Sequence, residues 1–85
     1  MEYKAKVKIE LKAGMLDPEA TTAKRALGHL GYEVNSLKTA KLFEIVIEAE
    51  SLDIAKRKVE EMCQKLIANP IIHNYTIKIQ SSTEN

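Results

Sequence analysis

The stretch Tyr3-Lys4-Ala5-Lys6-Val7-Lys8-Ile9-Glu10-Leu11 decides the fold, because apolar and charged side chains alternate along it without a break. A period of two residues is typical of a β-strand that buries one face and leaves the other in solvent. The sequence therefore predicts a half-buried first strand with its lysines on the outer face.

A helix follows this strand. Asp17 can accept hydrogen bonds from the amides of a first helical turn, and Pro18 suits the first helical position. Apolar residues then recur at helical spacing up to Leu30, and Gly31 suits the left-handed position after a helix end. We expect the first helix to open at Asp17 and to end near Leu30.

The next two extended segments are unequal. Residues 34–38 form a short and weak strand candidate, whereas residues 42–49 alternate clearly, with Phe43, Ile45, Ile47 and Ala49 on the inner face. The linker of three residues between the two segments is short enough for a hairpin.

A second helix follows Ser51, whose side chain can cap it. Asn69-Pro70 ends the helix, because proline disfavours helical geometry in the residue before it. The apolar positions between these limits recur at helical spacing and predict a buried stripe. They are Ala55, Val59, Met62, Cys63, Leu66 and Ile67.

A last strand alternates Tyr75, Ile77 and Ile79 against polar neighbours. The order β-α-β-β-α-β predicts an α+β domain of the ferredoxin-like type, a two-layer sandwich with an antiparallel sheet and two helices on one face. Residues 1–80 form this single domain, and residues 81–85 form a frayed tail that is too polar to pack. The outer lysines of the first strand should face the glutamates near residues 42–49 across the ladder.

Composition restricts the function. Lys and Arg total 13 against 12 Asp and Glu, so a net charge of +1 gives no field that favours nucleic acid or an acidic membrane. No apolar run approaches a membrane span, and the first residues resemble no targeting segment. The single cysteine, Cys63, excludes an internal disulfide. We expect a soluble cytoplasmic protein with no nucleic-acid and no membrane partner.

Few residues could carry chemistry. His29 and His73 have no metal-pair spacing, Cys63 lies on the predicted buried stripe, and Glu60-Glu61 lies among lysines on a solvated helix face. The glycines match no phosphate-binding motif, and the outer face of the first strand and of residues 42–49 carries no aromatic residue for stacking on RNA bases. We expect no catalytic, cofactor-binding or metal-binding residue in this chain.

Leu42 and Val46 lie on the predicted outer face of the sheet, which the helices do not cover. One interpretation is scattered surface residues, which are common. The other is a subunit interface, because a chain of 85 residues has a thin core that an oligomer would supplement. We expect at least a dimer, with Leu42 and Val46 as its possible interface.

Three segments carry a family resemblance. They are Leu11-Lys12-Ala13-Gly14-Met15-Leu16-Asp17-Pro18, Ala26-Leu27-Gly28-His29-Leu30-Gly31-Tyr32 and Met62-Cys63-Gln64-Lys65-Leu66-Ile67-Ala68-Asn69-Pro70-Ile71-Ile72. Together they resemble the PurS family, the small subunit of phosphoribosylformylglycinamidine (FGAM) synthase, over nearly the whole chain. The chain departs from the family pattern at Ala13, where members usually have Pro, at residues 19–22 and at Ala40.

The resemblance implies an adaptor in the fourth step of de novo purine biosynthesis. In that step an ATP-dependent synthetase subunit makes the amidine with ammonia that a glutaminase subunit releases from glutamine. A homodimer of PurS-like chains bridges the two subunits and helps to pass ammonia between them, while ATP and Mg belong to the complex and not to this chain. Asp17, Pro18, Asn69 and Pro70 match the family pattern and are possible partner contacts, although capping and chain reversal also explain them.

A competing hypothesis is a stand-alone dimeric regulatory module that binds a small ligand between paired domains, as ferredoxin-like sensor domains do. A ligand that binds only the folded state raises the melting temperature of the isolated chain. The adaptor hypothesis expects no such shift with the substrates alone, so this measurement distinguishes the two.

Overall fold

The computed structural model describes residues 1–82, which form three strands and two helices. The elements are β1 (Glu2–Leu11), α1 (Pro18–His29), β2 (Ala40–Glu48), α2 (Leu52–Met62), a π-helical turn (Cys63–Ile67) and β3 (His73–Ser81). The strands form one antiparallel sheet in the order β2-β1-β3. The predicted α+β class, with an antiparallel sheet and two helices in a ferredoxin-like order, is confirmed.

The weak strand predicted at 34–38 does not form: within residues 1–82, the segment between α1 and β2 has no strand pairing. Val34 and Leu37 are the only apolar residues at positions 34–38, too few to bury one face of a strand. Pairing with the free edge of β2 would therefore gain little side-chain packing. The predicted hairpin is therefore wrong, and β2 begins at Ala40.

The core lies between the sheet and α2. On the predicted inner face of β1, Tyr3, Ala5, Val7 and Ile9 are buried and Leu11 is half-buried. Val7 faces Phe43 and Ala5 faces Ile45 on β2. α2 lies across β1 and β3, and its side chains Val59 and Cys63 are fully buried. Burial of these apolar side chains is the main stabilising contribution in the chain.

Local signals set the helix ends as predicted. The Asp17 side chain caps α1, and the Ser51 side chain caps α2. Gly31 has a φ of +97°, a conformation that favours glycine, and the Tyr32 amide donates to the Leu27 carbonyl at 3.0 Å. This 6→1 hydrogen bond closes the end of α1 as a Schellman motif.

α2 does not end as a regular helix. In the π-helical turn the Ala68 amide donates to the Cys63 carbonyl, five residues back, at 2.9 Å. The wider turn contains one more residue than an α-helical turn. After Cys63, the next side chains that face the core are therefore those of Ile67 and Ala68. Leu66, predicted to be buried, is instead 87% exposed. The spacing rule failed because it assumes 3.6 residues per turn throughout.

α1 does not pack along the sheet. Of its 12 residues only Ala20 is buried, although its first residues Pro18 and Glu19 border the helix face of the sheet. The radius of gyration is 16.6 Å, against about 12 Å for a compact domain of this length. Residues 12–39 therefore form an extension, here called the α1 arm. The predicted two-layer packing is complete for α2 only.

The C-terminal end of the sheet is more ordered than predicted. Ser81, assigned to a frayed tail, is the buried last residue of β3 and pairs with Tyr3. The Ser82 amide donates to the Glu2 carbonyl at 3.0 Å, and the Ser82 hydroxyl donates to the Glu2 carboxylate at 2.6 Å. The prediction is wrong for these two residues, and residues 83–85 lie outside the described part of the chain.

The outer face of the sheet carries the predicted charge complementarity at its centre. The Glu44 carboxylate lies 3.4 Å from the Lys4 ammonium and 3.9 Å from the Lys6 ammonium. Glu48 contacts the N-terminal ammonium instead, at 3.3 Å, and Lys8 contacts Glu10 of its own strand. These exposed pairs each contribute about 0 to 1 kcal/mol.

Candidate partner-binding site

Asp17 holds the two ends of the α1 arm together. One carboxylate oxygen accepts from the Ala20 amide at 3.0 Å, and the other accepts from the Thr39 hydroxyl at 2.8 Å and the Thr39 amide at 3.4 Å. The Ala20 amide and then the Thr39 hydroxyl hold the pKa of Asp17 below its usual value. Asp17 therefore has two structural roles. The sequence predicted its role as a helix cap, but not its hydrogen bonds to Thr39.

Asn69 and Pro70 form the turn between the π-helical turn and β3. The Asn69 side chain accepts from the Ile71 amide at 3.0 Å, and the Asn69 carbonyl accepts from the His73 amide at 2.7 Å. The Asn69 amide in turn donates to Nδ1 of His73 at 3.0 Å, which fixes the imidazole ring. Chain reversal is thus built from these residues, and it leaves Ile71 78% exposed.

The two motifs meet at an open groove of about 710 Å³ on the helix face of the sheet. Asp17 and Pro18 contribute to its lining from the arm, and His73 contributes from the turn, above Leu11 and Phe43. Asn69 and Pro70 lie outside the lining and act on it through the position of His73. The structure therefore brings Asp17 and Pro18 to the groove directly and the Asn69 turn to its border.

Several large apolar side chains are exposed on the described part of the chain. A monomer exposes single apolar residues as a rule, and concentrations of them mark interaction surfaces. The sequence analysis missed all of these side chains as surface features. The most exposed are Leu66 at 87%, Leu16 at 80%, Ile71 at 78% and Leu30 at 74%.

Some of these residues could have been found from the sequence. Leu16 precedes the Asp17 cap and Ile71 follows Pro70, so each lies in a turn where burial is rare. Leu66 carries no such signal, because only the π-helical geometry turns it outward. Phe43, predicted on the inner face, lies there but is 37% exposed, since α1 does not cover it.

Leu42 and Val46 lie on the outer face of β2, where the sequence predicted them. They are 63% and 54% exposed, and Glu44 separates them along the strand. Their role as an oligomer interface stays a prediction at this point.

Cys63 is completely buried, as predicted from its position on the helical stripe. Burial raises the pKa of its thiol, and the nearby Glu60 carboxylate adds to the effect, so the environment disfavours the reactive thiolate form. In the described part of the chain, no group of three His, Cys, Asp or Glu side chains could hold a metal ion. None of the helices in residues 1–82 is long and apolar enough to cross a membrane.

Comparison with known sequences identifies close relatives. The chain is 49% identical over 79 residues to the phosphoribosylformylglycinamidine synthase subunit PurS of Methanocaldococcus jannaschii, covering 92% of this chain and 95% of that protein. It is 37% identical over 79 residues to the subunit of the same name from Bacillus subtilis, covering 92% and 93%.

The comparison with solved structures gives the same result as the comparison of sequences. The crystal structure of Methanocaldococcus jannaschii PurS has a TM-score of 0.82 at 49% identity and covers 93% of this chain and 96% of that one. A chain in a structure described as PurLQS from Thermotoga maritima has a TM-score of 0.86 at 25% identity, covering 94% and 99%. The fold is thus a ferredoxin-like domain that these solved structures share.

The family model described as PurS, phosphoribosylformylglycinamidine (FGAM) synthase, matches residues 4–81. The chain belongs to the PurS family, and PurS is a subunit of FGAM synthase in de novo purine biosynthesis.

Proposed function

We propose that this chain is a non-catalytic adaptor subunit of FGAM synthase, which bridges the synthetase and glutaminase subunits and aids the transfer of ammonia between them. The relatives named above carry the name of an FGAM synthase subunit, and one similar chain occurs in a structure described as PurLQS. The similarity supports a place for this chain in the corresponding complex.

The observation that carries the proposal is the set of large apolar side chains that the arm, the π-helical turn and the Asn69 turn expose. Leu16 on the arm, Leu66 on the π-helical turn and Ile71 in the Asn69 turn expose most of their side chains in the isolated chain. Burying such side chains against a partner is favourable by roughly 1.5 to 3 kcal/mol for each one fully covered. A surface of this type suits contact with a folded protein more than it suits a small polar substrate.

The chemistry is assigned to the partners in this proposal. The synthetase subunit binds ATP and Mg and forms the amidine, the glutaminase subunit releases ammonia, and this chain binds no cofactor. Its contribution is to keep two active sites at a fixed separation, which raises the effective concentration of ammonia at the synthetase. A homodimer places two copies of the groove on one adaptor.

The test compares two nitrogen donors in the assembled enzyme. With glutamine, amidine formation should depend on adding this chain to synthetase plus glutaminase, because ammonia otherwise diffuses into bulk water. At saturating ammonium, activity should depend much less on the chain. An equal requirement under both donors would mean that the chain builds or activates the synthetase site, and the bridging role would then be wrong.

A matched pair of variants connects this assay to the exposed apolar side chains. Leu66→Glu places a charge on the exposed apolar surface and should reduce glutamine-dependent activity while leaving ammonium-dependent activity near normal. Gln64→Glu adds the same charge two residues away on the same turn, at a position that is already polar and exposed. Equal loss with both variants would contradict a role for Leu66 in partner contact.

A further inference from the structure

The turn between the π-helical turn and β3 is closed by a nitrogen of the His73 ring. The Asn69 amide donates to Nδ1 of His73 at 3.0 Å, and the His73 amide donates back to the Asn69 carbonyl at 2.7 Å. Ala68, with φ −117° and ψ 142°, has already left helical geometry, so a regular helical carbonyl does not serve the Asn69 amide. The imidazole ring supplies the acceptor that the backbone does not supply at this position.

This geometry fixes the protonation state of the His73 ring. A ring nitrogen that accepts a hydrogen bond carries no proton, so the neutral ring carries its proton on Nε2. An imidazolium ring donates from both nitrogens and cannot accept. Protonation would therefore place the Nδ1–H group of His73 against the Asn69 N–H group, two donors without an acceptor. Only the neutral ring can close the turn in this way.

The charged groups around the ring lie on the arm and on β2. His73 shares the lining of the groove with Asp17 and Glu19 of the arm and with Lys41 of β2. In the described part of the chain none of these three side chains is hydrogen-bonded to the ring. β1 and the π-helical turn contribute only apolar side chains to this lining, those of Ile9, Leu11 and Ile67. The direct effect of protonating the ring therefore falls on the Asn69 amide.

The turn positions two features that lie next to it. The Ile71 side chain, whose amide donates to the Asn69 side chain at 3.0 Å, is 78% exposed. The Ile72 amide donates to the Asn69 carbonyl at 3.1 Å, and the Ile72 carbonyl accepts from the Lys12 amide at 2.8 Å at the start of the arm. Opening the turn would therefore free the Ile71 side chain and loosen a hydrogen bond between the turn and the arm.

We infer that His73 is a proton-sensitive closure of the Asn69 turn. The neutral ring holds Ile71 in position for contact with a partner subunit, and protonation of the ring releases it. The part of this inference that concerns a partner rests on the adaptor function proposed above, whereas the closure itself is a property of the isolated chain. Histidine side chains generally change charge between about pH 5 and pH 8, which sets the range for the test.

Nuclear magnetic resonance on the full chain tests the closure. The nitrogen chemical shifts of the His73 ring at about pH 8 should show the Nε2–H tautomer. Between about pH 8 and about pH 5.5 the Asn69 amide signal should move together with the ring signals. The protection factor of the Asn69 amide against hydrogen exchange should fall about two- to tenfold, the effect of losing one hydrogen bond.

Variants separate the ring nitrogen from other effects of pH. His73→Asn places an amide oxygen near the position of Nδ1 and has no group that titrates in this range, so the turn should stay closed throughout. His73→Ala removes the acceptor and should leave the Asn69 amide weakly protected at every pH. His29→Asn is the matched control, because His29 lies exposed at the end of α1. It should keep the full response of the Asn69 amide.

Assembly with the synthetase and glutaminase subunits tests the link to a partner. The dissociation constant of the chain for the two subunits should rise about two- to tenfold from about pH 8 to about pH 6, for the wild type and for His29→Asn. The rise should be much smaller for His73→Asn. Because all variants meet the same subunits, titration of the partners cancels in this comparison.

An Nδ1–H tautomer, a ring that stays neutral throughout the titration, or an Asn69 amide that does not respond to protonation of the ring overturns the closure. Equal pH dependence of assembly for the wild type and His73→Asn overturns its link to a partner. The glutamine and ammonium assay, run at the higher pH, judges the bridging role independently. If the subunits bind the chain at no pH, the proposed function is wrong, and the resonance measurements still decide whether His73 closes the turn.

Discussion

The sheet with α2 and the α1 arm differ in what holds them in place. The sheet and α2 share a core in which Val7, Val59 and Cys63 are fully buried. The helix of the arm buries only Ala20, and the hydrogen bonds of Asp17 join the two ends of the arm to each other. The Lys12 amide, at the start of the arm, donates to the Ile72 carbonyl at 2.8 Å. The comparison shows that stability and surface exposure belong to different parts of this chain. The sheet and α2 form the buried core, whereas the α1 arm leaves most of its side chains exposed.

The largest expected effect tests whether the core carries the stability. Val59→Ala removes two methyl groups from a site without solvent access and should lower the free energy of unfolding by about 2 kcal/mol. Leu27→Ala on α1 removes a larger group but from a half-buried site, and should cost less than about 1 kcal/mol. Urea denaturation of both variants measures the difference. A larger decrease in the free energy of unfolding for Leu27→Ala than for Val59→Ala would mean that the arm contributes to the core.

A smaller effect is expected at Cys63, which supplies packing and no chemistry. Cys63→Ala should reduce the free energy of unfolding by about 1 kcal/mol, as small truncations of buried side chains do. Because its thiol pKa is raised, the wild-type protein should react slowly with iodoacetamide at neutral pH until it is unfolded. Loss of glutamine-dependent turnover in a folded, assembled Cys63→Ala complex would instead reveal a chemical role.

The smallest effect on global stability is expected at Asp17, where only the arm should respond. The pKa of Asp17 lies below its ordinary value of 3.8, so its stabilising effect is present above that value and is lost as the pH falls through the lowered pKa. Asp17→Asn should remove this pH dependence and speed hydrogen exchange at the Thr39 amide.

Asp53→Asn, which changes an exposed acidic residue in the first turn of α2, is the control for Asp17→Asn. It should leave exchange in the arm unchanged. If Asp17→Asn also speeds amide hydrogen exchange throughout β1 and β3, the arm and the sheet unfold together. The proposed difference in stability between them would then be wrong.

Features set by neighbouring residues could be predicted from the sequence. The alternation of β1 from Tyr3 to Leu11 depends only on the two faces of a strand, and the caps at Asp17 and Ser51 depend on one side chain and one amide. The final strand and the end of α1 at Gly31 follow the same logic.

Features set by distant packing could not. Whether α1 packs against the sheet depends on tertiary contacts with other elements. The short apolar stripe of α1, which ends at Leu30, does not show which surface the helix contacts. Residues 34–38 look extended but lack a partner strand, and Leu66 has the spacing of a core residue but the geometry of a surface one. The groove with Asp17 and Pro18 therefore emerged only from the structure.

The π-helical turn at Cys63–Ile67 has a consequence for how the chain can change in length. An α-helix reaches the inward direction again three or four residues after Cys63, whereas the π-helical turn uses one residue more. Deletion of Gln64 could then restore ordinary helical winding and still leave Ile67 facing inward. Such a deletion should also remove the outward projection of Leu66, which depends on the wider turn.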